Sequence, residues 1–402
     1  MRAETISMKS ANYPGRPSVA DGEEKAPFSL GLREQIWVIL LALLAFGVLM
    51  VYSASAPRLL RGPESWSGLG PYANRQLCFA LLGIALAAVM ERIPYRWYGK
   101  AARPALLLVL AALALVWIPG VGVEINSAQR WFRIGSFTAQ PSELAKVTWV
   151  VYLSAYVCRK REVLGRFRTG ILPTCLLLGL LSALLLLEPD FGSCVILAGM
   201  SFVIWALGGV PWHHLLLLVP VGLSGLGALA VTSPYRLKRL LAFLDPWTDP
   251  LASGYHLIQS LVAVGSGGVW GVGLGAGRQK LAYLPEPFTD FIVAVVGEEL
   301  GLVGLTGLTL AVLALFWKGL QVARRARDPF GAVLAAGLTC LVAFQAWINM
   351  GVVLGLLPTK GLAFPFLSYG GSSLTANCMA VGMILSVARR SQGSAGVSAK
   401  GV

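Results

Sequence analysis

The sequence predicts an all-α integral membrane protein, and three observations carry that class. Of the 402 residues, 56% are hydrophobic and only 13% are charged, against about 25% charged in an ordinary soluble chain. Apolar runs of roughly 17–25 residues, long enough to cross a bilayer, recur along most of the chain. The basic residues, which set a net charge of +14, fall in short clusters between those runs. Such clusters hold loops on the cytoplasmic side of a membrane, so the high isoelectric point does not imply a nucleic-acid partner.

About ten spans are expected, near 35–55, 76–92, 102–119, 141–158, 170–187, 192–208, 212–231, 290–317, 330–353 and 365–388. Alternate connections carry the cations: Arg92, Arg96, Lys100 and Arg103; Arg159, Lys160, Arg161, Arg166 and Arg168; Lys318, Arg324, Arg325 and Arg327; then Arg389 and Arg390. Both termini are therefore expected in the cytoplasm. Residues 1–32 form a polar, disordered N-terminal tail, 33–390 the membrane domain, and 391–402 a C-terminal tail. The six cysteines are scattered singly and read as small buried apolar side chains.

The chemistry is expected in the opposite, outer connections. The first, 119–140, holds Arg130-Trp131-Phe132-Arg133 and leads into Pro141-Ser142-Glu143, with Pro141 suited to the first helical position. Glu143 and Lys146 are three residues apart and share a helix face, a spacing that serves a structural clamp or a functional pair. A short turn, Glu188-Pro189-Asp190-Phe191-Gly192, places two carboxylates at the outer face, where Asp190 suits either a helix cap or a ligand. The longest connection, 232–289 between the seventh and eighth spans, alternates basic and apolar residues over 235–244 as an interfacial helix would. Its glycine-rich part, 265–277, lacks the ending of a phosphate-binding loop and reads as close backbone packing.

Asp290 closes this connection at the mouth of the eighth span, with Glu298 and Glu299 roughly 12 Å deeper if the helix starts at the aspartate. On a helical wheel Glu298 borders the Asp290 side and Glu299 points away. Asp290 is the candidate acid–base group, and the two glutamates are structural acids within the membrane. Lys360, in the last outer turn, and the Ser368-Tyr369-Gly370-Gly371 run complete the polar set.

Several strings then agree in order with one family. Gln-Pro-Ser-Glu-Leu-Ala-Lys (140–146), Tyr-Arg-Leu-Lys-Arg through Asp-Pro-Trp (235–247), Gly-Tyr-His-Leu-Ile-Gln-Ser (254–260), Leu-Pro-Glu-Pro-Phe-Thr-Asp-Phe-Ile (284–292), Gly-Glu-Glu-Leu-Gly (297–301) and Phe-Pro-Phe-Leu-Ser-Tyr-Gly-Gly-Ser-Ser (364–373) resemble the SEDS family of FtsW, RodA and SpoVE. The resemblance spans about 33–390, and Leu-Leu-Pro-Thr-Lys-Gly (356–361) looks more like its division branch. It implies a peptidoglycan glycosyltransferase polymerising lipid II at the outer face of the bacterial cytoplasmic membrane. It also implies a class B penicillin-binding protein and other division proteins as partners. Asp290 falls on the family's essential acid, while Arg130, Glu143, Lys146 and Asp190 fall on its other functional positions. The family usually has histidine two residues before the aspartate; this chain has Phe288.

Joining lipid-linked sugars requires a base for the acceptor hydroxyl and cations for the departing pyrophosphate. Asp290 is the expected base. Arg130, Lys146, Arg278 and Lys360 are the expected cations, with Ser368 among the substrate-binding residues. No cluster has the spacing of a metal cage, so no tightly bound cofactor is expected. A divalent cation, Mg2+ or Mn2+, would arrive with the pyrophosphate. A lipid II flippase or a non-catalytic division scaffold would share the spans, but neither would make polymer from purified protein.

Overall fold

The computed structural model describes residues 30–60, 69–118, 120–125, 128–135, 137–231, 234–252, 254–281, 283–359 and 361–392. Both expected tails and Lys360 lie outside these residues, apart from the short stretches 30–32 and 391–392. Ten helices lie on the ten apolar runs: α1 (Leu32–Leu60), α2 (Gly70–Arg92), α3 (Tyr95–Leu115), α4 (Pro141–Arg159), α5 (Leu172–Leu187), α6 (Phe191–Leu207), α7 (Trp212–Val231), and then α10 (Ile292–Arg324), α11 (Pro329–Val353) and α12 (Gly371–Gln392). Among the described residues, seven segments are long and apolar enough to cross a membrane, those of α1, α2, α3, α10, α11 and α12 and that of α5 together with the turn from Phe167 that leads into it, and α6 and α7 supply shorter apolar stretches. The helix α4 carries Glu143, Lys146 and Arg159, the last in its final turn.

The helical membrane class is as expected, and two local features differ from the sequence reading. The connection before α4 folds into a small antiparallel sheet of β1 (Gly122–Ile125), β2 (Ala128–Ile134) and β3 (Phe137–Ala139), in that order. Its sequence, Gly-Val-Glu-Ile then Ala-Gln-Arg-Trp-Phe-Arg-Ile, is rich in the β-branched and aromatic residues that favour strands. Gly135, at φ 63°, turns β2 into β3. The last span also begins later than expected, at Gly371, because Pro365–Ser368 form a turn in which Phe366 takes φ 68°.

The long connection after α7 is structured. It holds α8 (Pro234–Leu244) and α9 (Tyr255–Gly267), and α9 packs along α10. Close approach explains the glycines there. Helix α10 is interrupted at Gly301, whose φ of 63° and ψ of −157° suit only glycine. The carbonyls of Glu298 and Glu299 accept from the Val272 and Gly273 amides, each at 3.0 Å. On the other side of the break, the Leu302 and Val303 amides donate to the carbonyls of Gly268 and Val269 at 2.9 and 3.1 Å. A side chain at Gly271 would place its Cβ 2.1 Å from the Glu299 carbonyl oxygen. The interruption is thus bridged by backbone, which gives the Glu298 and Glu299 carbonyls and the Leu302 and Val303 amides the partners that the helix break denies them.

Candidate active site

The helix α10 begins at Ile292, so Asp290 sits in the turn before it rather than on its first turn. The helical-wheel relation of Asp290 to the two glutamates therefore does not hold, because no helical path joins them. The turn is pinned from three sides. Asn349 of α11 donates to the Asp290 carbonyl at 2.9 Å and to the Leu362 carbonyl at 2.6 Å. Ser368 donates to the Thr289 carbonyl at 2.5 Å and accepts from the Phe364 amide at 2.7 Å. The Tyr369 amide donates to the Phe288 carbonyl at 2.8 Å. Phe288 itself is buried against Tyr72 and Tyr369, with ring centroids 4.9 and 5.7 Å away. An aromatic anchor therefore occupies the position where the family usually has histidine.

The carboxylate of Asp290 is half-buried beside Gly361, where an added Cβ would stand 3.0 Å from Oδ2. Burial chiefly, and Glu286 next, push its pKa from 3.8 up to about 6, while Arg239 and Arg130 pull it back. Glu286 is held between two prolines at φ 49° and accepts from the Thr289 hydroxyl at 3.2 Å. His256 on α9 stacks on Phe291 at 6.0 Å. Burial and then Arg239 lower its pKa, with Glu286 opposing them, so the imidazole is neutral at pH 7. Arg239 on α8, Glu286 and His256 are the members of this cluster that sequence reasoning missed. Each lay inside a quoted string, but only the fold brings α8 and α9 to the Asp290 turn.

The other expected residues fall in distinct places. Arg130, on β2, spans the turn between α5 and α6, its guanidinium donating to the carbonyls of Glu188 and, at 2.9 Å, Pro189. Asp190 caps α6, accepting from the Ser193 amide at 3.0 Å and the Ser193 hydroxyl at 2.7 Å. Glu188 beside it is fully buried, and neither carboxyl oxygen has a hydrogen-bond partner among the described residues. Burial first and Asp190 second raise its pKa to about 8, against the pull of Arg130, so it is neutral at pH 7. Lys146 is 1% exposed and is bonded to Glu143 at 2.8 Å and to Gln345 at 3.4 Å. That is the clamp arrangement of the pair. Arg278 is exposed, and its amide donates to Glu298.

Glu298 and Glu299 bond away from the Asp290 turn. Glu298 accepts from the Arg278 and Gln279 amides at 2.6 and 3.1 Å. Glu299 accepts from Lys280 Nζ at 2.6 Å, from the Ser53 hydroxyl of α1 at 2.7 Å and from the Gly275 amide at 3.1 Å. Both glutamates thus tie the glycine-rich segment to the bundle, and Lys280 is the buried partner that sequence reasoning missed. Among the described residues, no three His, Cys, Asp or Glu side chains converge as a metal site.

A helical bundle with apolar crossing segments, and a pinned, raised-pKa carboxylate at one end beside two arginines, defines a multi-pass membrane protein with a site suited to acid–base work on an anionic substrate. The chain belongs to the FtsW/RodA/SpoVE family, described as "Cell cycle protein", whose profile matches residues 33–393. It is 43% identical to the probable peptidoglycan glycosyltransferase FtsW of Geobacter metallireducens, over 91% of this chain and 99% of that one. It is 40% identical to the stage V sporulation protein E of Bacillus subtilis, over 88% and 96%. Among solved structures, a chain of a peptidoglycan synthase complex described as coordinating polymerization and crosslinking aligns with TM-score 0.71 and 31% identity, over 89% of this chain and 97% of that one. The rod shape determining protein RodA of Thermus thermophilus aligns with TM-score 0.65 and 29% identity, over 89% and 96%.

Proposed function

We propose that this chain is a peptidoglycan glycosyltransferase that polymerises lipid II into glycan strands at the outer face of a bacterial cytoplasmic membrane during cell division, both termini being cytoplasmic. The names of its relatives support the reaction class, and the environment of Asp290 carries the mechanism. A carboxylate with pKa about 6 is ionised at pH 7 yet basic enough to take a proton from a sugar hydroxyl as that oxygen attacks. Arg239 and Arg130, whose charges already act on Asp290, are suited to stabilise the pyrophosphate as it leaves the donor. Asn349 and Ser368 hold the backbone of the Asp290 turn, so their part is positioning.

The expected roles shift accordingly. Lys146, buried against Glu143 and Gln345, supports the bundle under the site, and Asp190 and Glu188 shape the turn that Arg130 grips. The donor groups do not fit a dedicated metal cage, so a divalent cation would enter with the pyrophosphate. A class B penicillin-binding protein is the proposed partner, consistent with the synthase complex among the related structures.

The test is polymer formation from purified lipid II by the protein, alone and with a class B penicillin-binding protein, for wild type and Asp290→Asn. Asparagine keeps the shape but accepts no proton at the carboxylate. Polymer from wild type and a loss of at least about 100-fold in a normally folded variant, the usual scale for a lost general base, is the expected result. Equal polymer from both would remove Asp290 from the mechanism, and no polymer from either with the partner present would favour a flippase or scaffold.

A further inference from the structure

At the end of the bundle opposite Asp290, five arginines surround an open cavity of about 400 Å³. Arg92 comes from the end of α2, Arg96 from α3, Arg327 from the connection before α11, and Arg389 and Arg390 from the last turn of α12, with Glu91 as the acidic lining residue. The two ends are separated by the length of α11: Asp328 caps its start and Asn349, near its other end, bonds the Asp290 turn. At 1.5 Å per residue that is roughly 30 Å, the thickness of a bilayer's apolar core.

The acids near this cavity already have partners. Glu91 pairs with Arg33 and accepts from Trp37 Nε1 at 2.9 Å. Asp328 accepts from Arg96 at 3.2 Å, Tyr95 at 2.8 Å and the Gly331 amide at 2.7 Å. Among the described residues, no acidic side chain pairs with Arg92, Arg327, Arg389 or Arg390. Charges that merely retain loops in the cytoplasm need no convergence, as Lys100 and Arg103 further along α3 illustrate. Here four uncompensated guanidinium groups from three separate stretches share one cavity, and like charges held together repel unless an anion lies between them.

We propose that this cavity binds a phosphate group at the level of the lipid headgroups, on the face of the membrane opposite the Asp290 site. Planar guanidinium groups grip phosphate oxygens in pairs, and basic pockets between membrane helices hold anionic headgroups in this way. A phospholipid headgroup and a free phosphate ion offer the same chemistry, and the experiment separates them. The full-length protein in neutral detergent is titrated with dioleoylphosphatidylglycerol, with dioleoylphosphatidylcholine, or with inorganic phosphate, and the midpoint of thermal unfolding is followed. Wild type, Arg389→Gln/Arg390→Gln, Arg92→Gln/Arg327→Gln and Lys100→Gln are compared.

Dioleoylphosphatidylglycerol is expected to raise the wild-type midpoint where dioleoylphosphatidylcholine does not. Each double variant should need about 30-fold more of it, the change that ~1 kcal/mol per arginine implies at 1.4 kcal/mol per tenfold, while Lys100→Gln behaves as wild type. The same arginine dependence with inorganic phosphate alone would keep the phosphate site and assign it to a soluble anion. Stabilisation of both double variants equal to that of wild type would overturn the proposal. So would a wild-type midpoint that moves with neither dioleoylphosphatidylglycerol nor inorganic phosphate. All four substituted arginines are exposed, and two independent pairs guard against loss of fold in one of them.

Discussion

Asp290 draws its basicity from position rather than from a proton partner. Its charge is disfavoured by burial and by Glu286, and favoured by Arg239 and Arg130. The general base must be ionised to act, so the competent fraction is nearly complete at pH 8 and falls as pH drops through about 6. Rates of lipid II polymerisation from pH 4.5 to 8 should show an acid limb with its midpoint near 6, declining about tenfold per unit below it. Glu286→Gln removes the neighbouring negative charge and should move that midpoint down, whereas a midpoint unaffected by Glu286→Gln would assign the limb to another group. The sequence pointed to Asp290 because one carboxylate stands where a polar loop meets an apolar run. It could not point to Arg239 or His256, which are 51 and 34 residues away in the chain and reach the site only through the packing of α8 and α9.

At the level of elements, the broken helix α10 and the glycine-rich segment that fills the break form one unit. Lys280 is 6% exposed and Glu299 is fully buried, and their 2.6 Å pair is joined by Ser53. Removing one charge strands the other in a low-dielectric interior, at a cost of about 3–5 kcal/mol. Lys280→Ala should therefore lower the unfolding midpoint markedly in detergent, and adding Glu299→Gln should recover much of the loss. A Lys280→Ala variant as stable as wild type would mean that the pair does not hold the segment. The glycine spacing indicated close packing, but its partner was hidden: the approach is to the Glu298 and Glu299 carbonyls freed by Gly301, and a backbone angle is not written in the local pattern. The sheet of 122–139 was missed for a similar reason, since short strands in a connection were outweighed by the helical periodicity around them.

For the molecule as a whole, the proposed orientation places α8, α9 and the Asp290 turn outside the cell and the arginine cavity inside. In a background with the six native cysteines replaced, Leu251→Cys, a position 89% exposed, should react with a membrane-impermeant maleimide on intact cells. Arg390→Cys should react only after permeabilisation, and the reverse pattern would invert the topology. Composition and the recurrence of apolar runs were enough to determine a multi-pass helical bundle, because a bilayer demands long apolar helices whatever they pack against. The order of motifs was enough to determine the family. Tertiary structure alone decided which charges meet. It buried Lys146 against Glu143 and Gln345, turned Glu298 and Glu299 toward the glycine-rich segment, and gathered Arg130, Arg239, Glu286 and His256 around Asp290. The physical reason is that hydropathy is a property of each stretch taken singly, while the electrostatics of a site depend on distances between stretches far apart in the chain.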